Sequence, residues 1–405
     1  MLDPENPGEF VRDAHLLRAL KRECLQLAGK ENDNFNRFPG SQPVSLLNQH
    51  MTVLKNQKFL VCEKSDGVRY LLLFYTIPFV VQNPPKCWPK VLGGRTGSVF
   101  LVNRKFEFIT VPEIDLVLSD SLLRSLSGTL LDGELVKDEV LDDNPEDGGE
   151  MDIDGEEKSS KRGPKTFQST FLVFDTLSVC GKFVGHLDLF DRLRAAQGEI
   201  IFKLRMYHLQ NGPPKDVVIT LKQMYAKEAV PFILDKVLKG LPHENDGLIF
   251  TRYDKPYKPG TCEDILKWKP RYLNSVDFEI SPMWGLNDDG VAEWRYCRIS
   301  AARRGVSLPF GFMYVDEKDQ KMLRDKYNGT PAIIECVRPD DWFLYEPPKD
   351  RNTPWNDEIK HPGPGWKYLR LREDKHIAND INTVNRVIDS IESGITGDVL
   401  KQELA

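Results

Sequence analysis

The chain has 405 residues, 40% of them apolar and 10% aromatic, which suits two or three globular domains with a substantial core. Met1 to Phe10 is polar and carries Pro4 and Pro7, unlike a secretory signal, and the longest apolar run, Tyr70 to Val81, is twelve residues with Pro78 inside it, too short to cross a bilayer. Eleven acidic side chains lie between Asp138 and Glu157, and removing those eleven from a net charge of −6 leaves the rest at about +5, a weak pointer to a phosphate-rich partner.

The first expected element is an amphipathic helix over Arg12 to Leu27, with Leu16, Leu17, Leu20, Cys24 and Leu27 on one face. A loop follows to about Pro43. Next comes a hairpin: Phe59 to Cys62, a Ser65-Asp66-Gly67 turn, then Val68 to Tyr75. Gly93 to Gly97 reads as a turn rather than a phosphate loop. Thr129 to Val136 is a strand containing Asp132-Gly133-Glu134. Residues 138–165 are acidic, then rich in Ser, Lys, Gly and Pro, and are expected to form a disordered insertion because they offer little apolar surface to bury. Strands return at Thr170 to Leu177 and Gly247 to Thr251.

From about Asp277 the pattern changes to short strands, at Phe278 to Ile280, Trp294 to Ile299, Gly311 to Val315 and Ala332 to Val337, which suggests a small barrel. After Lys375 a helical period returns in Ile377, Ile381, Val384, Ile388, Ile391 and Ile395. The seven cysteines are scattered without a Cys-x-x-Cys pair, so a reducing compartment is expected and a structural zinc is not. Cys297 and Arg303 stand at the spacing of a thiol-phosphatase loop, but Arg298 to Ala302 has no glycine to wrap an anion, so the spacing is read as coincidence.

Chemistry concentrates in Lys64-Ser-Asp-Gly-Val-Arg69. A lysine at a strand end beside a tight turn can reach a bound phosphate while its stem stays fixed. An ordinary lysine ammonium, with a pKa of about 10.4, is seldom nucleophilic at neutral pH. Neighbouring positive charge and partial desolvation free the lone pair of such a lysine. Attack on an α-phosphate then gives a phosphoramidate and expels pyrophosphate. The same residues would also serve a surface hairpin with an Asp-Gly turn.

Lys267 and Lys269 alternate on one extended segment and so face the same way, suited to that phosphate. Glu134 and Asp246 are carboxylates embedded in apolar strands, able to meet ribose hydroxyls or a magnesium ion. Arg370, Arg372, Asp374 and Lys375 form a charged stretch whose alternating arginines can grip phosphates.

In this order, Lys64-x-Asp-Gly-x-Arg69, Asp132-Gly-Glu134, Phe171-Leu-Val-Phe-Asp175, Asp246-Gly-Leu-Ile-Phe250, Leu266-Lys-Trp-Lys-Pro270 and Arg370-x-Arg372-x-Asp-Lys375 closely resemble the covalent nucleotidyltransferase superfamily of mRNA capping guanylyltransferases and ATP-dependent nucleic-acid ligases. Asp-Gly rather than Glu-Gly at Asp246, and Asn274-Ser-Val-Asp-Phe278 after Pro270, resemble the capping branch.

The resemblance implies an α+β protein: an antiparallel-sheet nucleotidyltransferase domain over 1–275, an OB-fold β-barrel domain over 276–375, and a C-terminal helix in 376–405 packing back on the first domain. It implies GTP as substrate, Mg2+ or Mn2+ as cofactor, and Lys64 as the nucleophile that carries GMP to a diphosphate-ended RNA. Arg69, Arg104 and Glu134 would lie near the ribose and phosphates, and Phe174 or Phe171 would stack on the base. Lys267 and Lys269 would meet the α-phosphate, and Asp246 would help place the metal. Arg372 and Lys375 would grip the β- and γ-phosphates. Lys367 stands where the family more often has Arg.

With no phosphatase segment in sight, the chain resembles the stand-alone fungal type, which implies a separate RNA 5′-triphosphatase. The phosphorylated C-terminal domain of RNA polymerase II and the nucleus are implied as partner and location. Two rivals remain at this stage: an ATP-dependent ligase using the same lysine, and a non-catalytic RNA- or polymerase-binding scaffold.

Overall fold

The computed structural model describes residues 3–30, 37–76, 97–111, 118–140, 166–214, 217–286, 292–316, 318–319, 321, 323, 332–345 and 360–404. The chain divides into two compact units, Met1–Val44 with Leu54–Lys267 and Leu404–Ala405, and Ser45–Val53 with Trp268–Glu403. The expected α+β class holds. No helix among the described residues is long and apolar enough to cross a membrane.

The first unit is built on two sheets. The larger, of eight strands, runs Glu9–Phe10, Phe108–Thr110, Gly97–Val102, Val68–Thr76, Thr129–Val140, Thr166–Val179 and Val217–Leu221, with Lys182–Phe183 paired to Thr166–Val179. Its central strands read as unbroken apolar runs because both faces are covered. Tyr70, Leu72 and Phe74 join a core with Leu131, Leu135, Phe171 and Val173, on which Ala196, Ile200 and Leu204 pack. Leu71, Leu73 and Tyr75 point the other way, to Leu16, Leu20, Cys24 and Leu27 of helix Ala14–Leu27. Asp13 caps that helix, its carboxylate accepting from the Leu16 amide at 2.8 Å.

Among the described residues of the larger sheet, Val217–Leu221 lies parallel to Ser169–Val173 and the other pairs are antiparallel. Helices Leu189–Ala196 and Phe202–Asn211 fall between those two strands in sequence, giving the chain the length a parallel return needs.

The second sheet has the order Tyr225–Ala226, Phe59–Ser65, Asn245–Arg252, Gly260–Trp268, Ser41–Ser45. This placement overturns the expected hairpin. Phe59–Ser65 and Val68–Thr76 are consecutive, yet they belong to different sheets, so Ser65 to Gly67 carries the chain from one sheet to the other. Both strands are buried along most of their length, and pairing with two neighbours each satisfies more backbone than one hairpin contact would.

The insertion also begins later than expected. Asp138 to Val140 continue the strand from Thr129, and Val140 pairs with Thr166, so the interruption spans 141–165, outside the described residues. Most of the Gly93 to Gly97 turn lies outside them too.

In the second unit an antiparallel five-stranded sheet runs Val306–Met313, Ala292–Arg303, Ser275–Leu286, Ala332–Val337, Lys367–Leu371, in which three expected strands fall whole and the fourth, Gly311 to Val315, falls as far as Met313. Its core holds Phe278, Ile280, Ile299, Ile334, Cys336 and Trp366, with Phe278 stacked on Phe310 at 5.2 Å. The strand pairing follows an open path among the described residues, without a closing pair. Cys297 is a fully buried residue of strand Ala292–Arg303, its thiol pushed up to about 12 by burial, as the dismissal of a phosphatase loop requires.

The last segment forms helices Ile381–Glu392 and Gly397–Leu404. Ile377 precedes the first of them and is exposed rather than on its apolar face. That face, through Val384 with Ile381, Val387 and Ile388, enters the core of the second unit.

Candidate active site

The chain's passage between sheets creates the site. A cleft in the first unit, enclosing about 730 Å³ out to open solvent, takes side chains from both sheets. Cys62, Lys64, Ile249, Thr251 and Ile265 come from the smaller sheet; Arg69, Asp132, Glu134, Phe174 and Asp175 come from the larger. Gly67 makes the crossing feasible. A Cβ there would stand 2.5 Å from the Leu135 carbonyl oxygen, so the turn can pass this close to the neighbouring strand only without a side chain.

Two β-bulges aim the side chains that matter. Ser65 pairs with Asn245 and Glu63 with Leu248, so Asp246 and Gly247 both stand opposite Lys64. The extra residue turns the Asp246 carboxylate to the lysine, and Lys64 Nζ lies 2.7 Å from Asp246 Oδ1. In the larger sheet Asp132 pairs with Asp175 and Gly133 with Val173, which leaves Phe174 as the extra residue of a bulge. Its ring borders the cleft, 5.3 Å from the Arg69 guanidinium carbon. Phe171 is fully buried in the core behind that strand, which removes it as a cleft residue.

Arg69 is held more firmly than the sequence suggested. Its Nε and Nη2 donate to the two oxygens of Asp132 at 2.9 and 2.6 Å, and Nη1 donates to the Ser41 carbonyl. The Tyr257 hydroxyl donates to Asp132 at 2.5 Å and accepts from the Ser41 amide at 2.9 Å. A second buried pair lies beneath: Arg192 grips both oxygens of Asp175 at 2.6 and 2.8 Å. Such bidentate pairs fix the cleft wall.

Burial pushes the Glu134 carboxyl above its ordinary range, against the pull of Lys222, Lys64, Arg104 and Arg69. Those four cations around one carboxylate make the cleft a place for a polyanion. Lys222, which sequence reasoning missed, is 5% exposed and borders the cleft, with Nζ 2.7 Å from Ser65 Oγ, 3.4 Å from Glu63 Oε1 and 3.8 Å from Glu134 Oε2. Nothing in Leu221-Lys-Gln223 marks it, since only the fold brings it to the cleft.

Lys267 is the penultimate residue of strand Gly260–Trp268 and Lys269 follows it; the strand's Ile265 lines the cleft. Trp268, between them, is buried and donates from Nε1 to the Ile395 carbonyl at 2.7 Å. In the second unit Asp277 holds Arg372 at 3.0 Å and also pairs with Lys375, while Asp374 takes the remaining fork of Arg372 at 2.6 Å.

Among the described residues no group of three or more His, Cys, Asp or Glu side chains forms a metal cage. Asp246, beside Lys64, offers a carboxylate oxygen of the kind a magnesium ion carried mainly by nucleotide phosphates could take.

Residues 8–271 match the family described as mRNA capping enzyme, catalytic domain, and residues 273–401 match mRNA capping enzyme, C-terminal domain. The mRNA-capping enzyme subunit alpha of Schizosaccharomyces pombe is 32% identical over 96% of this chain and 84% of its own length. That of Saccharomyces cerevisiae is 28% identical over 98% and 85%. The mRNA-capping enzyme of Mus musculus is 27% identical over 95% of this chain but 52% of its own. Among solved structures, Chlorella virus DNA ligase-adenylate is similar at 13% identity and a TM-score of 0.32, covering 83% of this chain and 100% of that one, too slight a likeness to carry an argument. With both family domains matched in order along nearly its whole length, the chain belongs to the mRNA capping enzyme family, a family of nucleotidyltransferases.

Proposed function

We propose that this chain is an mRNA guanylyltransferase in which Lys64 takes GMP from GTP and passes it to the 5′-diphosphate end of an RNA. One observation carries the reading: Lys64, next to the end of its strand, lies inside a cleft between two sheets, paired with Asp246 at 2.7 Å and facing the same carboxylate, Glu134, as three other cations.

In the first half-reaction Lys64 Nζ forms a bond to the α-phosphorus, the bond to the β-phosphate oxygen breaks, and pyrophosphate leaves with that electron pair. The ammonium must first shed a proton, and Asp246 Oδ1 is the acceptor already in contact. Phe174, presented by its bulge, supplies a face for the base, and Glu134 lies where a ribose hydroxyl can donate to it. Arg69 and Arg104 bring positive charge to the same wall.

Lys267, Lys269, Arg372 and Lys375 complete the proposed phosphate contacts. The first two are assigned to the α-phosphate; the last two, which must exchange Asp277 for phosphate, are assigned to the leaving pyrophosphate. A magnesium or manganese ion, placed with the help of Asp246, would neutralise phosphate charge during transfer. In the second half-reaction a terminal phosphate oxygen of the RNA attacks the same phosphorus and Lys64 departs with the nitrogen lone pair. The nucleus, the phosphorylated polymerase tail and a separate RNA 5′-triphosphatase complete the proposal.

The test is labelling. Incubated with a divalent cation and α-labelled GTP, the protein is expected to acquire a label that survives denaturation and is removed by pyrophosphate. ATP should label it far less. Lys64→Arg should abolish the adduct although the charge stays, because a guanidinium keeps its proton at neutral pH. Labelling by ATP in place of GTP would make the chain a ligase.

A further inference from the structure

Behind the strand that carries Lys64 lies a buried charge network that the reaction as described does not use. Alternation along Phe59–Ser65 sends Cys62 and Lys64 to the cleft, and Glu63 and Ser65 to the opposite face. Glu63 is 3% exposed there, a carboxylate that needs partners. One is Lys222, at 3.4 Å. Another is the Ser65 hydroxyl, donating at 3.4 Å, and a third is His243, three residues before Asp246. Its Nε2 lies 3.6 Å from Glu63 Oε1 and 3.4 Å from Ser65 Oγ, and its Nδ1 lies 2.7 Å from Asp138 Oδ1. Asp138, the residue that the sequence assigned to the insertion, also accepts from the Thr170 hydroxyl at 2.5 Å.

We propose that His243 is a positioning residue for the nucleotide cleft: clamped between Asp138 and Glu63, it holds the Glu63 carboxylate, and through it keeps the Lys222 ammonium at the cleft wall. The argument rests on how Lys222 is shared. Its ammonium faces Glu63 behind the strand and Glu134 in the cleft, at 3.4 and 3.8 Å. While His243 is charged, Glu63 divides its attraction between two cations. With that charge gone, Glu63 draws more strongly on Lys222 and pulls it from Glu134 and from the nucleotide. His243 touches no substrate; it acts through Glu63 and Lys222.

The surroundings support a charged imidazole. Burial alone would lower its pKa, but the hydrogen bond to Asp138 and the negative charges of Asp138 and Glu63 raise it to about 9. The groups facing this network are Asp138 from Thr129–Val140, Thr170 from Thr166–Val179, Glu63 and the Cys62 thiol from Phe59–Ser65, the Tyr225 phenol from Tyr225–Ala226, and Lys222. Cys62 and Tyr225 are both pushed up and stay neutral as His243 titrates, the Cys62 thiol to about 12.

The inference rests on the guanylyltransferase reading, and its test separates the two. The initial rate of adduct formation is measured against GTP concentration from pH 6.5 to 9.5 for the full-length protein, His243→Gln and His243→Lys. His243→Gln keeps a hydrogen-bonding side chain without charge. It is expected to raise the half-saturating GTP concentration roughly ten-fold, the scale of one charge-assisted hydrogen bond, with the saturated rate within about two-fold.

The parent protein should lose apparent affinity as pH rises through about 9, and the ratio of parent to variant should isolate that limb. Ionisation of guanine cancels in that ratio. His243→Lys should restore most of the affinity without the limb. In a Lys222→Met background, His243→Gln should have little further effect on affinity.

Additive effects of the two substitutions, equal pH profiles, or parallel losses of rate and affinity that His243→Lys fails to rescue would overturn the proposal. No GTP adduct on the parent protein would instead overturn the guanylyltransferase reading.

Discussion

Asp132→Asn tests whether Arg69 is a member of the cleft wall before it is a nucleotide contact. Asp132 is fully buried and accepts from Arg69 Nε at 2.9 Å, from Nη2 at 2.6 Å and from the Tyr257 hydroxyl at 2.5 Å; Arg69 is 8% exposed. The substitution keeps the shape and removes the charge, leaving a buried guanidinium without its counter-ion. Breaking a buried pair from one side costs about 3–5 kcal/mol. Because asparagine still offers one oxygen to Arg69, the lower end, about 3 kcal/mol, is expected. At about 2–4 °C per kcal/mol for a unit of this size, the melting temperature should fall by roughly 6–12 °C.

The assay is urea unfolding of the full chain, read as a shift in midpoint at constant slope. Arg69→Met with Asp132→Leu removes both charges and should be less damaging than Asp132→Leu alone. A midpoint shift worth less than about 1 kcal/mol for Asp132→Asn, or a double variant as unstable as the sum of its parts, would refute the reasoning.

Gly133→Ala should destabilise the first unit by about 1–3 kcal/mol, since the added Cβ would stand 2.5 Å from the Phe171 ring and 2.8 Å from the Leu172 carbonyl oxygen; thermal unfolding reads the loss. Because Val140 and Thr166 are paired, replacing residues 141–165 by a two-residue Asn-Gly turn should preserve both adduct formation and thermal stability. Arg372→Ala should cripple adduct formation with GTP yet largely spare transfer from preformed enzyme–GMP to RNA, and quench-flow of each half-reaction distinguishes them. The stability that His243 contributes follows the sign of its shift. With its pKa raised from 6.5 to about 9 by folding, the contribution is complete below about 6.5 and is lost as pH rises through about 9. The urea midpoint of the parent should therefore approach that of His243→Gln at alkaline pH.

The sequence by itself determined the family and the order of its parts: the capping-type motifs were legible because family-specific spacing survives in the linear chain. The helix Ala14–Leu27 and the strands over residues 68–75, 129–136 and 332–337 were legible because their apolar patterns are local. Other features only the tertiary structure decided. Lys64-Ser-Asp-Gly67 looks like a hairpin because a turn residue says that the chain bends and not which strand it then joins; here it joins another sheet, and the cleft exists for that reason.

Phe171 and Phe174 are three residues apart, so strand alternation sends them to opposite faces, but only the fold decides which face is core and which is cleft. Asp138 looked like the start of an acidic loop because its partners, Thr170 and His243, lie 32 and 105 residues away. Lys222 carried no signal at all, for its neighbours Glu63 and Glu134 are brought to it by strand pairing alone. Charge complementarity in a buried site is a property of contacts across sheets, and the linear order of residues does not contain it.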